Sequence, residues 1–305
     1  MWRVVDIAEA DRHLHLSRQS LVVSDKGQEL GRIPVSDIQA VLVHGFGASL
    51  SLNVAAALAE AGIPLVLCGA NHLPALLCLP VSANFEQAAR TNAQAEASLP
   101  LKKRLWQSLI RAKITAQARC LEESDSQGHS SLIKLAKKVR AGDPDNLEAQ
   151  AARAYWPRLM GPDFRRDQDA DGLNAHLNYG YAVLRAAVAR AVVGAGLSPA
   201  LGLHHRGRLN PFQLVDDLME PFRPLVDLLV WRNRTEWTGR LAPDAKRSLA
   251  GWITASLPTD QGAQPLTRVM SQLAVGLAQV YMGEEKQLWL PDDWALLRQE
   301  ELDLG

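Results

Sequence analysis

A change of pattern near residue 85 constrains this 305-residue chain more than any other feature. Before it, apolar residues come in short runs of strand length, 2–7, 13–16, 20–24, 29–35 and 38–43, each bounded by turn formers. Asp25-Lys26-Gly27 suits a tight hairpin between two of them, because glycine supplies the positive φ such a turn requires. The alanine- and leucine-rich stretch 51–61 reads as a helix, closed by Gly62-Ile63-Pro64 ahead of a further strand, 65–68. Beyond residue 85, alanine, leucine, glutamine and arginine dominate. Helical spacing predicts helices over 85–122, 130–141, 145–156, 174–195, 211–231, 243–256 and 265–281, with sharp breaks at Gly142-Asp143-Pro144 and Gly194-Ala195-Gly196. The expected organisation is α+β, with a β-rich unit over 1–82 and a larger helical unit over 83–305. The length fits two domains.

With 47% hydrophobic and 22% charged residues, the chain can bury a sizeable core. Thirty-three basic residues balance thirty-three acidic ones, which excludes a uniformly basic polyanion binder and leaves local surfaces to be examined. Cys68, Cys78 and Cys120 have no CxxC spacing, so buried free thiols are expected rather than a disulfide framework or a zinc site. The first residues lack the pattern of a secretory signal, and no apolar run approaches the ~20 residues that span a bilayer. A cytoplasmic protein with no membrane partner is expected.

Charge is uneven in the helical part. From Leu101 to Cys120 the chain carries Lys102, Lys103, Arg104, Arg111, Lys113 and Arg119 and no acid, and Lys134, Lys137, Lys138 and Arg140 follow. A solvated helix face normally mixes signs, so the run favours a phosphate-facing surface, a plain solvated face being the alternative.

Two stretches could carry chemistry. In the first, 145–156, Asp145 is placed to cap a helix bearing Glu148, with Leu147, Ala151, Ala154 and Tyr155 towards the core. Glu148 there either completes a capping box or is free for another task. In the second, His204 and His205 precede Asp217 and Glu220, two acids three apart on one helix face that Pro221 ends or kinks. Their apolar setting makes unpaired charge costly, and Arg223 is available to neutralise it. One histidine with two or three carboxylates is an oxygen-rich donor set suited to magnesium or manganese rather than zinc. Such a set serves phosphodiester cleavage and transfer. Tyr155 and Trp156 are read as core residues rather than base-stacking platforms.

The stretches Leu147-Glu148-Ala149-Gln150-Ala151-Ala152-Arg153-Ala154-Tyr155-Trp156, Gly202-Leu203-His204-His205 and Asn210 to Pro224, with its Asp217-Leu218-Met219-Glu220-Pro221-Phe222-Arg223-Pro224 run, resemble the CRISPR-associated adaptation integrase family. The resemblance spans the whole chain and is close to the version found beside type II single-protein effector nucleases. It implies an N-terminal β-sandwich-like domain that mediates homodimerisation and a helical catalytic domain. It also implies Glu148, His205 and Glu220 as catalytic metal ligands for Mg2+ or Mn2+, with Asp217 matching a second acid that joins the site in some relatives. Implied partners are double-stranded DNA (captured fragment and CRISPR repeat), a small second CRISPR adaptation protein and the type II effector nuclease. Lys102, Lys103, Arg104, Lys137 and Lys138 would hold duplex DNA by its phosphates. The activity implied is metal-dependent insertion of captured DNA into a CRISPR array by 3′-hydroxyl transesterification. A transposon-borne integrase and a non-catalytic helical DNA-binding scaffold remain as alternatives.

Overall fold

The computed structural model describes residues 3–7, 9–43, 45, 47–68, 74–78, 80, 86–168, 170–259, 262–291 and 294. The first part comprises strands β1 (Arg3–Ile7), β2 (His13–Ser17), β3 (Ser20–Asp25), β4 (Gln28–Pro34), β5 (Ile38–Val43) and β6 (Ser49–Leu50), helix α1 (Leu52–Glu60), and strands β7 (Leu65–Cys68) and β8 (Pro74–Cys78). They form two four-stranded sheets. One has the order β4-β3-β2-β6 and is antiparallel apart from the β2–β6 edge; the other has the order β1-β5-β7-β8, with β1, β5 and β7 parallel. The β3–β4 turn takes positive φ at both Lys26 and Gly27, as the hairpin reading requires.

Alternation along the strands of the second sheet joins the two parts of the molecule. Val41, Val43, Leu65 and Leu67 face a small core shared with Leu14, Leu21, Val54 and Leu58, whereas Ala40, Leu42 and Val66 face the helical core. A sheet buried on both faces explains why β5 reads as a nearly continuous apolar run.

The helical part contains α2 (Gln87–Glu96), α3 (Leu99–Glu123), α4 (His129–Lys138), α5 (Leu147–Met160), α6 (Leu173–Gly194), α7 (Gln213–Met219), a 3-10 turn over Glu220–Phe222, α8 (Arg223–Arg232) and α9 (Pro243–Gly251). A hairpin of β9 (Ser256–Thr259) and β10 (Gly262–Pro265) leads into α10 (Leu266–Met282). Helix α6 is buried along most of its length, and α7, α8, α9 and α10 pack around it. At Gly180 an added Cβ would fall 2.4 Å from Val226 Cγ1, so glycine is what allows α6 and α8 to approach so closely.

Several boundaries differ from the sequence reading. The helix expected over 85–122 is two, because Ser98 caps α3 through its hydroxyl, accepting from Leu101 N–H, and Pro100 sits in the first turn. The helix expected over 211–231 is interrupted at Pro221 by the 3-10 turn. The helix expected over 243–256 is α-helical to 251, continues as a 3-10 turn over Trp252–Thr254 and gives way to β9 at 256. Cys120 is buried and donates to Pro224 O at 3.1 Å, but Cys78 is exposed, contrary to the expectation of buried thiols. Among the described residues no helix is long and apolar enough to cross a membrane.

Candidate active site

Helix α3 packs against α5, α8 and the 220–222 turn, and charged side chains from these elements converge there. Lys113 contributes from the buried side of α3. Trp106, Leu109, Ile110 and Gln117 occupy the same stripe at helical spacing, and all four are buried. The Lys113 Nζ lies 2.5 Å from Glu148 Oε1 and 2.5 Å from Glu220 Oε2. Arg223 adds its Nε to Glu220 Oε1 at 2.9 Å. Two carboxylates and two cations therefore share one compact cluster.

Glu148 is free for this task because other residues cap α5. Asn146, in the left-handed region at φ 51°, accepts from Ala149 N–H, while the Asp143 carboxylate accepts from the N–H groups of Leu147 (2.9 Å) and Glu148 (3.0 Å). The expected cap, Asp145, instead pairs with Arg140 at 2.8 Å. The capping-box role open to Glu148 in the sequence is thus replaced by its pairing with Lys113.

Glu220 is almost fully buried. Burial, the largest influence, pushes its pKa up, but Arg223 and Lys113 together overcome it and bring the carboxyl down to about 2. Lys113 shows the converse balance: burial acts to lower its pKa, and the charges of Glu220 and Glu148 outweigh that and raise it.

Asp217 has a different role from Glu220, although the sequence offers Arg223 to neutralise both. Its side chain is fully buried and accepts from the backbone N–H groups of Leu203 (2.5 Å), His204 (3.2 Å) and His205 (3.1 Å), and from His205 Nδ1 at 2.7 Å. These bonds clamp the 203–205 turn. Gly202 is needed for it, since a Cβ there would come within 2.9 Å of Gln213 Cβ, His205 O and Asp217 Oδ2. With Nδ1–H donated to Asp217, the neutral ring of His205 carries its lone pair on Nε2. The hydrogen bond that His205 donates to Asp217 raises the His205 pKa, and the nearby charge of Glu220 adds to that. Trp106 meets His205 edge-on at 5.7 Å and stacks flat against the exposed His204 at 4.3 Å.

Two carboxylates already converge on one positive charge. Glu220 Oε2, though 2.5 Å from the ammonium, is buried and not aligned for a hydrogen bond. An imidazole with an available ring nitrogen lies within electrostatic reach of Glu220. These groups fit a hard cation. As placed, no three His, Cys, Asp or Glu side chains among the described residues stand close enough to hold one, and the Lys113 ammonium sits between the Glu148 and Glu220 carboxylates.

Beside the cluster lies a cavity of about 170 Å³, lined by Lys113, Trp156, Arg166, Glu220, Arg223 and Asp227 among others. Trp156, read from sequence as a core residue, is half-buried and lines this cavity, whereas Tyr155 is wholly buried and bonds Asp227. Lys113 stands out in sequence only as one member of a basic run. Its signal was its place on the apolar stripe of α3, where lysine seldom sits without a partner. Other members of that run have structural duties. Arg111 caps α4 at Val139 O, and Arg119 pairs with Glu122. Lys103 and Arg104 are exposed near the start of α3, Lys102 is half-buried, and Lys137 and Lys138 are exposed in the last turn of α4. Gly142 N–H bonds Lys103 O at 2.9 Å, tying the segment after α4 to the start of α3.

The family described as "CRISPR associated protein Cas1" matches residues 5–241. A CRISPR-associated endonuclease Cas1 of Neisseria meningitidis serogroup C (strain 8013) is 37% identical over 295 residues, covering 95% of this chain and 96% of its own. Two solved structures share the fold. A casposase bound to integration product has a TM-score of 0.80 at 18% identity, covering 98% of this chain and 97% of its own. A chain of a Cas6-RT-Cas1–Cas2 complex has a TM-score of 0.75 at 19% identity, covering 94% of this chain and 36% of its own. With a family match across most of its length and a relative aligned over nearly all of it, the chain belongs to the CRISPR-associated Cas1 family.

Proposed function

We propose that this protein is a divalent-metal-dependent DNA endonuclease and integrase that inserts captured DNA as new spacers into a CRISPR array. The observation that carries this reading furthest is the convergence of Glu148 and Glu220 on one cationic centre, beside an imidazole held by a buried carboxylate. Glu148, Glu220 and His205 Nε2 would hold Mg2+ or Mn2+. When bound, the ion would stabilise charge developing at phosphorus and favour the attacking oxyanion. Asp217 acts here as a positioning residue, since its oxygens are occupied by the 203–205 turn and the His205 ring.

In this reading the 3′-hydroxyl of a captured fragment attacks a phosphodiester at the edge of a repeat. A new P–O bond forms to that oxygen, the repeat's own P–O bond breaks, and its 3′-oxygen leaves with a proton. Glu220 stays ionised at neutral pH, as a ligand must. Arg223 and Arg166 line the adjoining cavity and suit the phosphate oxygens. Lys102, Lys103, Arg104, Lys137 and Lys138 would neutralise phosphates further out.

On the same reading we propose a β-rich dimerisation domain over 1–82 whose sheets pack as a sandwich, a catalytic domain over 83–305, a homodimer, and a cytoplasmic location. A small second adaptation protein is the proposed partner, in line with the Cas1–Cas2 complex among the fold relatives, and the type II effector nuclease is a further one. The likeness to a casposase favours a second reading, a transposon-borne integrase. The deciding experiment is transfer of labelled fork-ended DNA into a supercoiled repeat-bearing plasmid with Mn2+, with and without the small partner. Repeat-edge products that need both the partner and Mn2+ are expected. Transfer indifferent to the repeat and partner would favour the transposon reading, and DNA binding without transfer under any divalent ion would leave only a scaffold.

A further inference from the structure

We infer that Lys113 is an internal counter-ion that the divalent cation must displace, and that the released ammonium then serves the phosphate entering the adjoining cavity. This rests on the metal reading above. Its ammonium contacts one oxygen of each proposed ligand carboxylate at 2.5 Å, and the side chain is only 12% exposed. Among the described residues Glu148 has no other ion-pair partner, while Glu220 also has Arg223. Lys113 is therefore the one charge that holds both carboxylates together. Carboxylate oxygens bind Mg2+ at roughly 2.0–2.1 Å. An ammonium wedged between the same two oxygens leaves no room for it, and two cations at that separation repel strongly. Occupancy by one excludes the other.

The displaced ammonium has somewhere to go. Lys113 itself lines the 170 Å³ cavity, together with Trp156, Arg166 and Arg223, so its four-carbon stem can swing its charge towards them while α3 stays in place. The two arginines there are largely fixed. Arg166 bonds the side chains of Asn174 and Asn178, and Arg223 is tied to Glu220 and lies 4.7 Å over the Tyr181 ring. A mobile ammonium joining two fixed guanidinium groups makes a cationic wall beside the metal ligands, suited to a non-bridging phosphate oxygen. Lysine suits both positions, being a compact charge on a flexible stem, where arginine would demand a planar fork.

The test is Mn2+ binding, measured by electron paramagnetic resonance on the full chain, for wild type, Lys113→Met and Glu220→Gln. Removing the competing charge should tighten Mn2+ binding by about tenfold or more, the factor by which a dominant ammonium-bound form weakens apparent affinity. The same variant should melt earlier without Mn2+ and regain its melting temperature with it. At saturating Mn2+ its single-turnover transfer should still be slower than wild type. Unchanged or weaker Mn2+ binding by Lys113→Met, while wild type binds and Glu220→Gln does not, would overturn this inference alone. No Mn2+ binding by wild type, or equal binding by Glu220→Gln, would overturn the metal reading and this inference with it. A second measurement needs no variant: reductive methylation of wild-type Lys113, followed by peptide mass spectrometry. Mg2+ should speed it relative to the exposed Lys137 and Lys138, and equal rates with and without Mg2+ would contradict displacement.

Discussion

Glu220 and Asp227 flank the first turns of α8, both almost wholly buried, yet they end at opposite ends of the carboxylate range. Glu220 has an ammonium on one oxygen and a guanidinium on the other, and is brought down to about 2. Asp227 accepts from the hydroxyls of Tyr155 (3.1 Å) and Tyr181 (2.5 Å), and burial, which these bonds only partly offset, pushes it up to about 7. Burial is common to both and the partner decides the charge. Cations keep Glu220 a permanent anion, while neutral donors leave Asp227 near half protonation at neutral pH. The first environment suits a metal ligand; the second suits a structural link between α5, α6 and α8.

The contrast predicts unlike mutants. Glu220→Gln should abolish transfer, by about 10³-fold or more, while leaving duplex affinity within about twofold. Single-turnover transfer and Kd measured together check it; near-normal transfer would remove Glu220 from the chemistry. Asp217→Asn comes next. It loosens the 203–205 turn and can leave His205 in the wrong tautomer, so Mn2+ affinity should fall roughly 10- to 100-fold, as for other residues that orient metal ligands. A variant binding Mn2+ as wild type does would mean that the clamp does not serve His205.

Asp227→Asn should leave Mn2+ affinity unchanged and act on stability instead. Asp227 has an ordinary pKa of 3.8 and is raised to about 7 in the fold, so between those values the folded chain holds a proton that the unfolded chain has released. Its contribution therefore declines as pH rises from about 4 to 7 and then levels, with a slope of at most about 1.4 kcal/mol per pH unit. Glu220 behaves oppositely, stabilising above about 4.5 and losing that contribution as pH falls towards 2. Denaturant unfolding across pH 4 to 8 should show a decline that Asp227→Asn flattens; an unaltered profile would refute the assignment. The smallest effect is expected far from both acids. Replacing Lys102, Lys103 and Arg104 by alanine should weaken duplex binding for all sequences and reduce the salt slope by about 0.9 for each phosphate no longer neutralised. An unchanged slope would make them a solvated face.

Sequence carried the strand-to-helix division, the β3–β4 hairpin and α1, because each depends on local periodicity and turn chemistry. It did not carry β6, two residues long and added to an existing edge, or the β9–β10 hairpin, whose residues include two prolines and a glycine. Candidate ligands were legible as residue types within a familiar motif, but their partners were not. Lys113 meets Glu148 from 35 positions away, and the caps of α5 depend on Asn146 adopting a left-handed backbone that propensity would not assign. The two acids of α7 and the turn after it look alike in sequence. Asp217 faces backbone donors and an imidazole and Glu220 faces cations, and only the packing of α3 and of the 203–205 turn separates them.

In the proposed site Glu148, His205 and Glu220 share one divalent ion. Anomalous diffraction from a crystal soaked in Mn2+ would locate that ion. A peak is predicted at bonding distance, roughly 2.0–2.3 Å, from carboxylate oxygens of Glu148 and Glu220 and from His205 Nε2, with the Lys113 ammonium moved off the carboxylates. Lys113 still bridging Glu148 and Glu220 in a Mn2+-loaded crystal, with the anomalous peak elsewhere, would contradict it.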